Sequence, residues 1–252
     1  MSDFPKYIIF GASGGIGSAL CKRLATAGAD IMLVARDADK LEALKQELTS
    51  ISSEGTYIAH IADATKSQEV DAAFAAAQST FGSISGVANL VGSIILKPAH
   101  TTTDDELEAT LSINTKSAFY VLRAAAKAMM NTGGSIVLAS TVAASIGLAN
   151  HEAIATAKGA INGLTISAAA TYAPKNIRVN AVAPGLVRTP LSSKITSSEL
   201  ALKASTAMHP LGRIGEPDDV AVAMAWLLHP GTTWVTGQII GIDGGLGTVR
   251  AK

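Results

Sequence analysis

The chain has 252 residues, 48% of them apolar and only 16% charged, which excludes intrinsic disorder and supplies a large core with apolar surface left over for partner subunits. Twenty basic residues balance 20 acidic ones without a Lys/Arg run, so neither a nucleic-acid footprint nor a membrane-surface patch is expected and small-molecule work is favoured. No window reaches the roughly 18–20 apolar residues of a membrane span, and Cys21, the only cysteine, leaves no internal disulfide and no Cys/His set for a metal.

Short apolar runs alternate with longer segments of helical period along the chain. A strand at 7–10 leads into a helix over 15–27, a strand at 31–35 into a helix over 38–49, and a strand at 57–61 into a helix over 67–81. A strand at 86–89 precedes a long helix over 104–130, a strand at 135–140 a helix over 152–172, and a strand at 178–183 a helix over 217–228. A last strand is predicted at 238–242. Strands that are apolar throughout fit a sheet covered on both faces, so the expected class is α/β: a doubly wound parallel sheet of about seven strands with helices on both sides. No linker divides the chain, and residues 1–252 are expected to form one domain. The connection from Gly185 to about Gly212 lacks strong periodicity and is the candidate substrate loop. The amino terminus, MSDFPKYIIFGAS, lacks a basic stretch followed by a long apolar one, and a cytoplasmic location is expected.

Gly11 to Gly17 (GASGGIG) follows the first predicted strand and opens the first helix. Glycine there permits positive φ and close backbone approach, and the free N–H groups of the helix start attract a pyrophosphate. A tight turn with no ligand is the alternative. The candidate binding residues of this turn are Gly11, Ser13, Gly15, Ile16 and Gly17.

The GxxxGxG spacing resembles the short-chain dehydrogenase/reductase family, and further matches follow in order along the chain. Asn89 to Gly92 (NLVG) is similar to the family's NNAG element, and Ile113-Asn114 lies where a helix carries the family's asparagine. Ser135 to Thr141 (SIVLAST) resembles the strand that ends in the catalytic serine. Arg178 to Gly185 (RVNAVAPG), followed by Thr189, resembles the nicotinamide-binding segment, and Val235 to Gly245 resembles the last strand. The resemblance covers essentially the whole chain and implies a Rossmann-type fold with a bound nicotinamide dinucleotide. It also implies that Asp63 and Ala64 flank the adenine, that Asn89, Pro184 and Gly185 belong to the cofactor wall, and that Val187 and Thr189 face the carboxamide.

The second strand ends at Ala35-Arg36, where NAD-binding relatives place an acidic residue against the ribose hydroxyls. An arginine can grip a 2′-phosphate through planar, charge-assisted hydrogen bonds, so NADP(H) is the expected cofactor. The alternative is a solvated Arg36 pairing with Asp37 or Asp39.

The resemblance implies reduction of a carbonyl by hydride transfer, with a YxxxK tyrosine as proton donor, a lysine on the ribose, a serine or threonine orienting the carbonyl and an asparagine supporting a relay water. Residue by residue these positions fall on Asn114, on Thr141 with Ser140 beside it, and on Lys158, while the tyrosine falls on Ile154. Isoleucine donates no proton. His151, one helical turn before Ile154, is the candidate replacement donor; a histidine facing solvent at a helix start is the other reading. Tyr120 and Tyr172 are read as packing residues. Two functions remain open: a reductase of hydrophobic or activated carbonyls with an altered proton donor, and a silent NADP(H)-binding sensor or partner protein. Aliphatic residues Ile94, Ile95, Leu148 and Leu191 hint at a hydrophobic substrate, with the pocket also drawing on the surroundings of Ile146. The resemblance further implies a homotetramer or homodimer in which the helices of 104–130 and 152–172 pair, their alanines 124–128 and 168–170 either permitting that approach or packing inside the protomer.

Overall fold

In the computed structural model, residues 4–250 are described. Seven parallel strands form one sheet: β1 (Lys6–Phe10), β2 (Asp30–Ala35), β3 (Tyr57–Ile61), β4 (Gly86–Asn89), β5 (Gly134–Ala139), β6 (Ile177–Pro184) and β7 (Ile239–Ile242). Their order is β3-β2-β1-β4-β5-β6-β7, every pair parallel. The order reverses between β1 and β4, and there the carboxyl ends of the strands open a crevice.

The apolar strands have a simple cause. Along β1, Ile8 and Phe10 point into one hydrophobic cluster, while Tyr7 and Ile9 point into the other. The first cluster lies under α3 (Ser67–Phe81), α5 (Ser117–Met129) and α6 (Glu152–Tyr172); the second lies under α1 (Gly15–Thr26), α2 (Ala38–Ile51) and α9 (Pro217–Leu228). With both faces covered, neither side of a strand needs polar residues. Ala124, Ala125, Ala168 and Ala169 pack inside the first cluster, as do Tyr120 and Tyr172 at its margin. Cys21 is fully buried in α1, and burial pushes its thiol far above the ordinary range.

Two features depart from the expected elements. The helix expected over 104–130 is α4 (Asp104–Leu111) and α5 joined through a π-helical turn, Ser112–Lys116, whose wider winding brings the Ser117 N–H to the Ser112 carbonyl. The 185–212 connection is not without structure: it carries α7 (Ser193–Thr196) and α8 (Glu199–Met208), the second capped by the Ser198 side chain. Among the described residues no helix is long and apolar enough to cross a membrane.

Candidate active site

The carboxyl ends of β1, β4, β5 and β6 meet the first two turns of α6 and the roof formed by α7 and α8 around a cavity of about 500 Å³. Its floor is the glycine-rich turn. Gly11 has φ +77°, a backbone setting that suits glycine, and its N–H donates to the Val34 carbonyl. A Cβ on Gly17 would stand 2.1 Å from the Gly11 carbonyl oxygen, so only glycine lets α1 start this close to the strand. Gly14 caps α1 without any side-chain hydrogen bond, so the amide groups of the first turn have no side-chain cap. Gly11, Gly15, Ile16 and Gly17 line the cavity; Ser13 lies in the turn but does not.

Lys158 is the cationic side chain of the wall. It is 7% exposed, and its ammonium donates to the Ala139 carbonyl at 2.7 Å, beside Gly92. Burial alone pulls the Lys158 ammonium from 10.5 down to about 8. Ile154 stands one turn earlier on α6, 5% exposed, lining the cavity and belonging to neither hydrophobic cluster. Thr141 follows β5, its hydroxyl held only by a 3.4 Å contact to the Pro184 carbonyl and a 3.4 Å contact from the Ala143 N–H. Ser140, by contrast, donates to Asn162 Oδ1 at 2.6 Å and is turned into α6, so of the two hydroxyls Thr141 is the one left loosely held at the cavity.

Asn114 is fully buried in the π-helical turn. Its amide donates to the Thr110 carbonyl and to Ser93 Oγ, and its Oδ1 accepts from the Ser93 N–H. The asparagine thus ties the widened turn to the loop after β4, a common setting for such turns near functional sites. His151 lines the cavity from the cap position of α6, and its Nδ1–H donates to the Ala149 carbonyl at 2.7 Å. Asn89 is buried at the end of β4 and accepts from the Val91 N–H. Pro184, Gly185, Val187 and Thr189 line the opposite wall, with the Thr189 side chain close against Gly15.

Arg36 is exposed just beyond the carboxyl end of β2. Asp37 does not pair with it: its carboxylate caps α2 through the Lys40 N–H and bridges the Lys40 ammonium at 2.7 Å. Burial raises the Asp63 carboxyl, but hydrogen bonds from Thr65 and the charges of Arg36 and Lys66 outweigh it and hold the group below its ordinary value. Ala64, beside it, is buried.

Ser93, Asn162 and His209 carry no motif or spacing that marks them in the sequence. Ser93 and His209 line the cavity, and Asn162 holds Ser140. Of the aliphatic residues expected at the substrate, Ile94, Leu148 and Leu191 line the cavity, joined by Leu96, Ile195 and Met208; Ile95 and Ile146 do not. Among the described residues no His/Cys/Asp/Glu group could hold a metal ion.

These features fit a dinucleotide. An uncapped helix start, a cradle that a Cβ would fill, and a buried ammonium with one carbonyl partner supply sites for phosphate and ribose. A family model described as enoyl-(acyl carrier protein) reductase matches residues 11–247. The chain is 34% identical over 242 residues to a chloroplastic tropinone reductase homolog of Arabidopsis thaliana, covering 95% of this chain and 74% of that protein. It superposes with a TM-score of 0.93 on a short-chain type dehydrogenase/reductase from Mycobacterium ulcerans, 33% identical, covering 98% of this chain and 91% of the other. Two further similar structures hold cofactors. An actinorhodin polyketide ketoreductase with NADPH is 26% identical at a TM-score of 0.91, covering 98% of both chains. A Brucella melitensis 3-ketoacyl-(acyl-carrier-protein) reductase with NADH is 27% identical at 0.88, covering 96% of this chain and 98% of that one.

Proposed function

The chain belongs to the short-chain dehydrogenase/reductase family, and from that premise we propose that it is an NADP(H)-dependent oxidoreductase reducing a hydrophobic or activated carbonyl to an alcohol with a proton donor other than tyrosine. The observation that carries this reading is the convergence of Lys158, Thr141 and the glycine turn on one apolar-walled cavity, with Ile154 in the place of a proton-donating side chain. The nicotinamide ring, when bound, supplies the hydride. The chain's own residues do the rest. The Lys158 ammonium binds ribose hydroxyls, the Thr141 hydroxyl orients the carbonyl oxygen, and Asn114 holds the loop after β4 against the π-helical turn. His151, at the cavity wall, donates the proton directly or through water.

Arg36 selects NADP(H), since it is exposed just beyond the carboxyl end of β2 and Asp37 is engaged with Lys40. A carbonyl activated by a neighbouring carbonyl or halogen needs less protonation in the transition state, so such compounds are the preferred substrates. Exposed Phe119 on α5 and Ile166 on α6 support pairing of two protomers across these helices. The test is NADPH oxidation against ketones, diketones and halogenated ketones by wild type and His151→Ala. Turnover of activated carbonyls that drops in His151→Ala upholds the reading; unchanged turnover in that variant removes His151 from the mechanism. Ile154 itself favours a second reading, a silent NADP(H)-binding protein, and wild type that binds NADPH yet oxidises none with any carbonyl establishes it.

A further inference from the structure

The roof over the cavity is held by very little apolar packing. Ile195 of α7 and Ser205 and Met208 of α8 line the cavity, yet neither helix contains a buried residue. A helix of ten residues with no fully buried side chain has small cause to stay folded or in place. Immediately after α8 comes His209, only 3% exposed. Both of its ring nitrogens are bonded. Nδ1–H donates to the Ser205 carbonyl in the last turn of α8 at 2.6 Å, and Nε2 accepts the Leu186 N–H at 3.2 Å. That pair of bonds fixes the neutral ring with its proton on Nδ1.

The ring also occupies the space beside Gly185. A Cβ there would stand 2.6 Å from His209 Nε2, so the wall has glycine at this point and the ring takes the room. Its Cβ and Cδ2 lie 3.6 Å from the Cβ position of Gly244, in the segment after β7. Gly185 and Leu186 belong to the wall that continues to Val187 and Thr189.

We infer that His209 is a positioning residue that ties the α7–α8 roof to the 184–189 wall, so that the substrate end and the cofactor end of the cavity keep one geometry. The tie itself follows from the contacts; only its kinetic consequence rests on the proposed reduction. Hydrogen bonding, not bulk, carries it, because the ring bridges two backbone groups that have no other side-chain partner among the described residues.

The experiment uses the full chain as wild type, His209→Asn and His209→Gln. Asparagine keeps a donor near the Ser205 carbonyl and is too short for the Leu186 N–H; glutamine sets an acceptor where Nε2 stands. Brief trypsin digestion read by mass spectrometry follows cleavage after Lys194 and Lys203, the lysines of α7 and α8. Cleavage there should rise about tenfold or more in His209→Asn and stay within about threefold of wild type in His209→Gln, since proteolysis follows the population of the opened roof. Substrate KM should rise in the same variant by more than the NADPH Kd. Faster cleavage without carbonyl turnover in any variant upholds the tie and removes the reductase reading. Equal cleavage in wild type and His209→Asn overturns the tie, whatever the turnover.

Discussion

Replacing Ile154 with tyrosine is the perturbation most directly set by the geometry. Ile154 is 5% exposed, one helical turn before Lys158, and faces the same 500 Å³ cavity as Thr141. Because Ile154 lines the cavity and belongs to neither hydrophobic cluster, a phenol at this position extends into that cavity. The buried Lys158 ammonium would stand near the new hydroxyl and lower its proton affinity, bringing it closer to working pH. A positioned general acid is worth ~10²–10⁴-fold, or ~3–5 kcal/mol of barrier. Ile154→Tyr should therefore raise kcat/KM for unactivated ketones by about 10²-fold or more, and for activated carbonyls by about tenfold or less, since these need the proton least. The assay is NADPH oxidation with both substrate sets, run beside dinucleotide binding and thermal melting. A folded Ile154→Tyr protein that binds NADPH as wild type does and gains nothing on unactivated ketones refutes the placement of the carbonyl between Thr141 and Lys158.

Three other outcomes follow from the same contacts. Arg36→Asp should weaken NADPH binding by about 10–100-fold while NADH binding holds or improves, because a charge-assisted pair to the 2′-phosphate becomes a repulsion; equal NADPH affinity in titration calorimetry contradicts the cofactor assignment. In the proposed role Lys158 binds ribose as ammonium, and burial lowers its proton affinity to about 8, so dinucleotide affinity should fall as pH rises above about 8. Lys158→Met should bind weakly with no such slope in a fluorescence titration across that range. Gly17→Ala forces a methyl to within 2.1 Å of the Gly11 carbonyl, so the turn must open. Denaturant unfolding should show a loss of roughly 1–3 kcal/mol, the usual scale of overpacking, together with lost dinucleotide binding.

The sheet was readable because its cause is local. The inner strands are buried on both faces, so Tyr7 to Phe10 or Ile31 to Ala35 shows a continuous apolar run, and the intervening helices show their periodic stripe. The π-helical turn was not, since a helical period continues through it. The available sign was a polar stripe: Thr110, Asn114 and Ser117 share one face and are all buried, which a core-facing helix does not ordinarily allow. Likewise α8 carries no apolar stripe onto the core, having no buried residue, and only Ser198 as a cap announced it.

The same physics separates the legible part of the site from the hidden part. Gly11 and Gly17 stand where the turn requires glycine, Lys158 lines the cavity and Asn114 sits in the widened turn, so each can be located by its spacing in the sequence. Ser140 and Thr141 are adjacent and chemically alike; what distinguishes them is Asn162, 22 residues after Ser140, which takes the Ser140 hydroxyl. His209 is harder still. A lone histidine before Pro210 carries no periodic signal, and its partners are backbone groups, Leu186 N–H and Ser205 C=O, which every sequence contains. Side chains that bind cofactor or substrate are constrained by type and spacing, whereas side chains that hold the backbone in place are constrained only by where the chain passes. That difference is why the glycine turn could be read from the sequence and the anchor of the roof could not.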